Sequence, residues 1–227
     1  YGESAIIAHI YTERFGRQSC IVNYSKSGKS SIKPRSFLPL SLVDLEIYFK
    51  EGKEVHRIRE VGNNMPLLNI QQEIYKSTIA IFIAELLYKT LHEAESNPQM
   101  FEFLYHAIQY LDAMSENVSN FHVMFLVQYT KFLGIFPKFG LNLLFNIEHN
   151  ERSFSYVNDF EFFANLPKEA LNALKEFSSG SFQDMRVIKI NYETRMLLLE
   201  KVLDFYKMHF ENIGQINSLQ VMKEVFH

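Results

Sequence analysis

The hydrophobic period changes once along this chain, from two residues to between three and four. The change falls at Gly62-Asn63-Asn64-Met65-Pro66. A period of two puts alternate side chains on opposite faces of a strand, whereas the longer period lines one side of a helix. The pattern therefore predicts an α+β protein: a small N-terminal β-barrel or curled sheet over residues 1–64, then a C-terminal α-helical domain over 65–227. Residues 5–12 and 17–24 are β-rich runs joined at Glu13-Arg14-Phe15-Gly16, with Gly16 free to take the positive φ of a tight turn. Residues 41–49 alternate cleanly, with Val43, Leu45, Ile47 and Phe49 on one face. Glu51-Gly52-Lys53 turns into a strand over 54–61 whose Val55, Ile58 and Val61 are only partly in phase. Four strands joined by short turns are the material of a barrel or curled sheet.

Beyond the boundary, residues 70–92 carry Ile74, Ile79, Phe82, Ile83, Leu86, Leu87 and Leu91, which predicts a central buried helix. Asn97-Pro98 opens a second helix over 99–114 with Leu104, Ile108 and Leu111 inward. A third runs over 119–133 and stops at Gly134. Residues 135–166 form an irregular, aromatic, cysteine-free insert. Pro167 opens a short helix to about 177, a long helix covers 191–211, and Ser218 caps a last one over 219–226.

Charge is distributed unevenly. No carboxylate occurs between Glu13 and Asp44, yet that interval holds Arg14, Arg17, Lys26, Lys29, Lys33 and Arg35. The chain has 23 Lys and Arg against 26 Asp and Glu, so the remainder carries 17 positive against 26 negative charges. Such a run can be a solvated face, and that alternative stays open. Its interleaved aromatics, Phe15 and Tyr24 among them, favour a nucleic-acid groove in which cations meet phosphates and rings stack on bases.

Other chemistries find little support. Ser27-Gly28-Lys29-Ser30 matches the tail of a phosphate-binding loop, but Asn23 stands where its first glycine belongs, and Pro34 opposes the helix that should follow. The single Cys20 excludes an internal disulfide and a multi-cysteine zinc site. His92-Glu93 lacks the second histidine of the helical zinc motif, and His106 and His122 read as helix-face or core residues. Asp159 and Glu161, two apart among phenylalanines, read as a solvated edge. No nucleophile, base and orienting acid are brought together, so no catalytic residue, cofactor or metal is expected. No apolar run approaches the roughly 18–20 residues of a membrane helix, and the lone cysteine fits a reduced, cytoplasmic setting. The chain begins at Tyr1 and not Met, so a preceding segment or removed leader stays open.

Three stretches carry a family resemblance. Near the start are Tyr1-Gly2-Glu3-Ser4-Ala5-Ile6-Ile7, Tyr11-Thr12-Glu13 and Phe15-Gly16-Arg17. Late in the chain come Leu203-Asp204-Phe205-Tyr206 with His209. At the end is Ser218-Leu219-Gln220-Val221-Met222-Lys223-Glu224-Val225-Phe226. In this order and spacing the chain resembles the RecO family of bacterial recombination mediators. The likeness spans nearly the whole chain and is weakest over 140–190. It implies an OB-fold, a helical domain and no enzymatic site. It also implies binding of single- and double-stranded DNA, annealing of complementary strands, and loading of RecA with RecR on DNA coated by single-strand-binding protein. A protein of this family would be nucleoid-associated and a monomer when alone. Family members bind the acidic tail of the coating protein through a basic and apolar pocket in the helical domain. Where some carry an arginine pair, this chain has Ser119-Asn120, leaving Lys131 and Lys138 as the nearby candidates. Many also carry a four-cysteine zinc module, which residues 135–190 lack, and a further strand before the Tyr-Gly-Glu segment. The competing expectation is a protein–protein adaptor that works through its helical domain with little direct DNA binding.

Overall fold

The computed structural model describes residues 5–23, 32, 34–92, 95–137 and 162–226. The first element is a hairpin. Strand β1 (Ala5–Thr12) pairs antiparallel with β2 (Gly16–Asn23), from Ala5 opposite Asn23 to Thr12 opposite Gly16. Gly16 turns the chain at φ 60°, where a side chain would be strained. Strand β3 (Leu42–Tyr48) follows, then β4 (Val55–Met65). The sheet order is β1-β2-β4-β3, with β2 and β4 parallel and β3 antiparallel to β4. This four-stranded sheet followed by helices is the β-then-α order that the change of period implies, and it is consistent with the N-terminal OB-fold-like small β-barrel and C-terminal helical domain that the resemblance implies.

The imperfect phase of β4 has a structural cause. Leu45 pairs with Val61, Glu46 with Glu60, and Ile47 with Ile58, so Arg59 is an extra residue. That bulge lets Ile58 and Val61, three apart, both face the same core. Cys20, Val22 and Ile58 form its buried centre, with Leu45, Ile47 and Val61 packed against them. Phe49 departs from expectation. It lies just past the end of β3 and is exposed, because the Lys50–Lys53 turn has already lifted the chain off the core.

Two compact units divide the chain: residues 1–113 with 216–225, and residues 114–215 with 226–227. In the first, the expected single helix over 70–92 is two helices, α1 (Leu68–Gln72) and α2 (Ile74–Thr90). Extended Glu73 separates them, at φ −97° and ψ 120°. The break resets the helical phase: Ile74 is 63% exposed, and Lys76 is 1% exposed instead. Asp112 holds the break. Its carboxylate accepts the N–H of Ile70 at 2.8 Å, and its carbonyl accepts the Asn69 amide and the Lys76 ammonium, each at 2.9 Å. Helix α3 (Pro98–Ala113) begins as expected, with Asn97 Oδ1 accepting from Met100 N at 3.0 Å. It buries Leu104, Ile108 and Leu111.

In the second unit, helix α4 (Phe121–Tyr129) is buried nearly all round, and Gly134 lies beyond it at φ 71°. Helix α5 (Lys168–Ser179) follows Pro167, and α6 (Tyr192–His209) is capped by Asn191, whose Oδ1 accepts from Thr194 N at 2.7 Å. Tyr206 of α6 donates its hydroxyl to the Leu126 carbonyl of α4 at 2.8 Å. Helix α7 (Ser218–Phe226), which belongs to the first unit up to Val225, closes the described chain. No helix among the described residues is long and apolar enough to cross a membrane.

Candidate nucleic-acid interface

Of the eight residues expected to meet DNA, Arg14, Phe15, Arg17 and Arg35 lie among the described residues; Tyr24, Lys26, Lys29 and Lys33 lie outside them. Arg14 and Phe15 occupy the β1–β2 turn and are exposed. Arg35 is exposed on a 3-10 turn, Pro34–Phe37. Among the described residues, none of the three arginines is paired with a carboxylate, whereas Arg59 pairs with Glu46, Lys76 with Glu73 and Lys207 with Asp204. Among the described residues, the Arg14 and Arg35 guanidinium groups are therefore presented to solvent outside any ion pair.

Arg17 is placed differently. Its Nη1 donates to the carbonyls of Tyr88, at 3.0 Å, and Leu91, and its guanidinium lies 4.7 Å from the centre of the Tyr88 ring. Those carbonyls end α2, where no intrahelical partner is left and the helix dipole favours a cation. His9 completes the group: its Nδ1 is 3.0 Å from the Ser19 hydroxyl, and its ring is 4.9 Å from that of Tyr88. Partial desolvation, then the charge of Arg17, lowers the His9 pKa. Arg17 thus fastens the hairpin to α2. The sequence could not reveal this, because the partners are backbone atoms more than seventy residues away.

The same contact borders a cleft of about 380 Å³. Its walls come from β1, residues 36–43, α2 and α3, and are largely apolar, with Ile7, Ile10, Phe37, Leu87 and Ile108 among them. Strands β1 and β3 are the two edges of the sheet, and both contribute.

The turn that carries Phe15 is held firmly. Thr12 Oγ1 accepts from Phe15 N at 3.0 Å and donates to the Gly16 carbonyl at 2.9 Å. The largely buried Gln18 amide donates to the Phe15 carbonyl at 2.6 Å. The Phe15 ring stacks on Phe49, with centroids 4.4 Å apart and planes 15° apart. Sequence reasoning missed Phe49 by assigning it to the inner face of β3; the adjoining Glu51-Gly52 turn was the available signal.

In the second unit, the Lys131 ammonium donates to Gln128 Oε1 at 2.7 Å and lies 5.0 Å from the Phe136 ring centre. Gln128 in turn donates to the Gly180 carbonyl at 2.8 Å. Lys138, Asp159 and Glu161 lie outside the described residues. Among those described, no group of three or more His, Cys, Asp or Glu could hold a metal ion. Cys20 is buried in the sheet core, which pushes its thiol up to about 11 and leaves little nucleophilic thiolate at neutral pH.

A family model described as Recombination protein O N terminal matches residues 1–62, and one described as Recombination protein O C terminal matches residues 71–219. The chain belongs to the RecO family. DNA repair protein RecO of Phocaeicola vulgatus is 31% identical over 236 residues, which cover 100% of this chain and 94% of that protein. The protein of the same name from Flavobacterium psychrophilum is 31% identical over 229 residues with the same coverage. That of Bacteroides fragilis is 29% identical over 236 residues, again at 100% and 94%. RecO membership assigns the chain to DNA repair and recombination, with DNA and recombination proteins as its general class of partner.

Proposed function

We propose that this RecO-family chain is a non-enzymatic mediator that binds single- and double-stranded DNA through its N-terminal sheet and anneals complementary strands. With RecR it helps to load RecA on DNA coated by single-strand-binding protein. The observation that carries this reading is the acid-free interval between Glu13 and Asp44, with its six cations on an otherwise acidic chain. Exposed Arg14 and Arg35, outside any ion pair among the described residues, support it. Cations that cover the charge of one strand lower the repulsion felt by a second, which is the physical basis of annealing. The acidic remainder would keep DNA off the helices and leave them to protein partners, with Lys131 and Lys138 as candidates for the tail of the coating protein.

The test is a salt titration of single-stranded DNA binding. With Arg17 held by α2, the five remaining cations would give a log–log slope of about −3.5, at about −0.7 per contact. A variant with Lys26→Glu, Lys29→Glu and Lys33→Glu should lose most of its affinity and flatten the slope. Unchanged affinity in that variant would refute the assignment. The adaptor reading draws on the engagement of Arg17 by α2, which withdraws one of the six cations. It requires the same variant to keep its protein partners and wild-type DNA binding to be negligible.

A further inference from the structure

We infer that Phe15 and Phe49 form a built stacking platform for an unpaired nucleobase, and that it supplies a salt-independent part of DNA affinity. The inference rests on the DNA-binding reading above and deepens it. Two flat rings from separate turns lie face to face at 4.4 Å, and a third, His56, continues the stack beneath Phe49 at 4.9 Å and 26°. His56, 3% exposed, anchors the stack; Phe49, 45% exposed, has a ring on each face, so the face left for a base is the outer one of Phe15, which is 36% exposed. Two exposed phenylalanines on hairpin turns lower solubility unless something covers them. Here both turns are fixed in place. Thr12 and Gln18 clamp the first, and the second is closed by the Lys53 N–H on the Lys50 carbonyl at 3.2 Å, with Gly52 at φ 76°. Rings held this way lose little freedom on binding, which is what a pre-organised contact requires.

The surrounding charge indicates how the contact works. Arg14, Lys50 and Lys53 are exposed on these turns and can reach phosphates, but Glu13, Glu51 and Glu54 are exposed beside them. The local balance is neutral, so net attraction to a polyanion is small at this end of the sheet. Ring stacking is insensitive to salt and to sequence, since every base has a π-face. The platform would therefore hold a base while the acid-free interval tracks the backbone.

The experiment compares the wild type with a Phe15→Leu/Phe49→Leu variant, which keeps apolar bulk and removes the rings. Each is titrated with an oligothymidine, with the same oligomer made abasic, and with one carrying 2-aminopurine, over a range of salt. Circular dichroism and thermal melting confirm that the variant is folded; Phe15→Tyr/Phe49→Tyr should restore binding. The expected result is about a tenfold loss of affinity in the leucine variant with an unchanged salt slope. The wild type alone should prefer the base-bearing oligomer and quench 2-aminopurine. Equal affinity of the two proteins, or equal binding of abasic and normal oligomers by the wild type, would overturn the platform while leaving the DNA-binding reading intact. Absence of DNA binding by the wild type at any salt would overturn both.

Discussion

The carboxylate of Glu85 and the start of the helix at Ser218 are joined across 133 residues of sequence. Glu85 Oε2 accepts both the N–H and the hydroxyl of Ser218, at 2.8 and 2.6 Å, while Oε1 accepts the N–H of Asn217 at 2.9 Å. A glutamate of α2 thereby does the work of an N-cap for α7, meeting donors that the helix leaves open and adding negative charge at its positive end. Ser218, expected to cap this helix itself, donates instead to an acid from another part of the chain.

Replacing Glu85 by Ala should strand those donors and destabilise the α7 attachment by about 1–3 kcal/mol. Faster hydrogen exchange at Val221 and Met222, with little change in β1 and β2, would register it. The contact is also pH-dependent. Burial pushes the Glu85 carboxyl upward, but the hydroxyl and N–H of Ser218, the N–H of Asn217 and the charge of Lys89 together hold it below its ordinary value. A depressed carboxylate stabilises the fold at neutral pH and loses that contribution as the pH falls from the ordinary glutamate range through the lower folded value. The exchange difference between wild type and Glu85→Ala should shrink over that acidic interval.

Local signals were legible wherever a feature is settled by its neighbours. Asn97-Pro98 marked a helix start because cap and first turn are adjacent residues. Gly16 and the alternation from Val43 to Ile47 marked a turn and a strand for the same reason; the partial phase of β4 was visible, but the bulge that causes it came from the pairing register. What stayed hidden was decided at a distance. No glycine or proline warns of the break at Glu73; Asp112, some forty residues later, supplies the acceptors that stabilise it. Lys76 could not be assigned to the interior because only a carbonyl at the end of α3, with Glu73, makes its burial tolerable. In the candidate interface, charge and aromatic content were readable as composition. Their division into exposed Arg14, stacked Phe15 and helix-bound Arg17 required the fold.

Cys20 should be inert in the folded protein. Its thiol sits in the sheet core with Val22 and Ile58, and burial raises its pKa to about 11. A thiol reagent at pH 8 should label it orders of magnitude more slowly in buffer than in urea. Rapid labelling under native conditions would show that β2 opens away from its neighbours.

His122 of α4 should make the 114–215 unit acid-sensitive. Its ring is fully buried, and burial, with a smaller contribution from the charge of Arg195, lowers its pKa to about 3. The unfolded chain takes up a proton near pH 6.5, whereas the folded one stays neutral. The unfolded state therefore binds more protons between those values. Stability is full above about pH 6.5 and falls by up to about 1.4 kcal/mol per pH unit as the pH drops toward 3. Urea titrations at pH 7 and pH 5, followed through amide exchange of Val123 and Leu126, should differ accordingly. In a His122→Gln variant that contribution to the slope should vanish.

Arg17 separates stability from DNA contact. If its main task is to close the end of α2, Arg17→Ala should destabilise the 1–113 unit by about 1–3 kcal/mol, the worth of hydrogen bonds from a charged donor. Arg17→Lys should recover only part of this: an ammonium can donate to both carbonyls, as one guanidinium nitrogen does here, but it has no planar group to lay over the Tyr88 ring. His9 offers an independent reading: with the guanidinium gone, the repulsion that adds to its desolvation disappears, so its titration should move upward by NMR. Single-stranded DNA affinity, measured where the variant is still folded, should change far less than on reversal of Lys26, Lys29 and Lys33. A loss of affinity equal to that reversal, with stability and the His9 titration untouched, would show that Arg17 leaves α2 to meet phosphate, and the fastening role would have to be withdrawn.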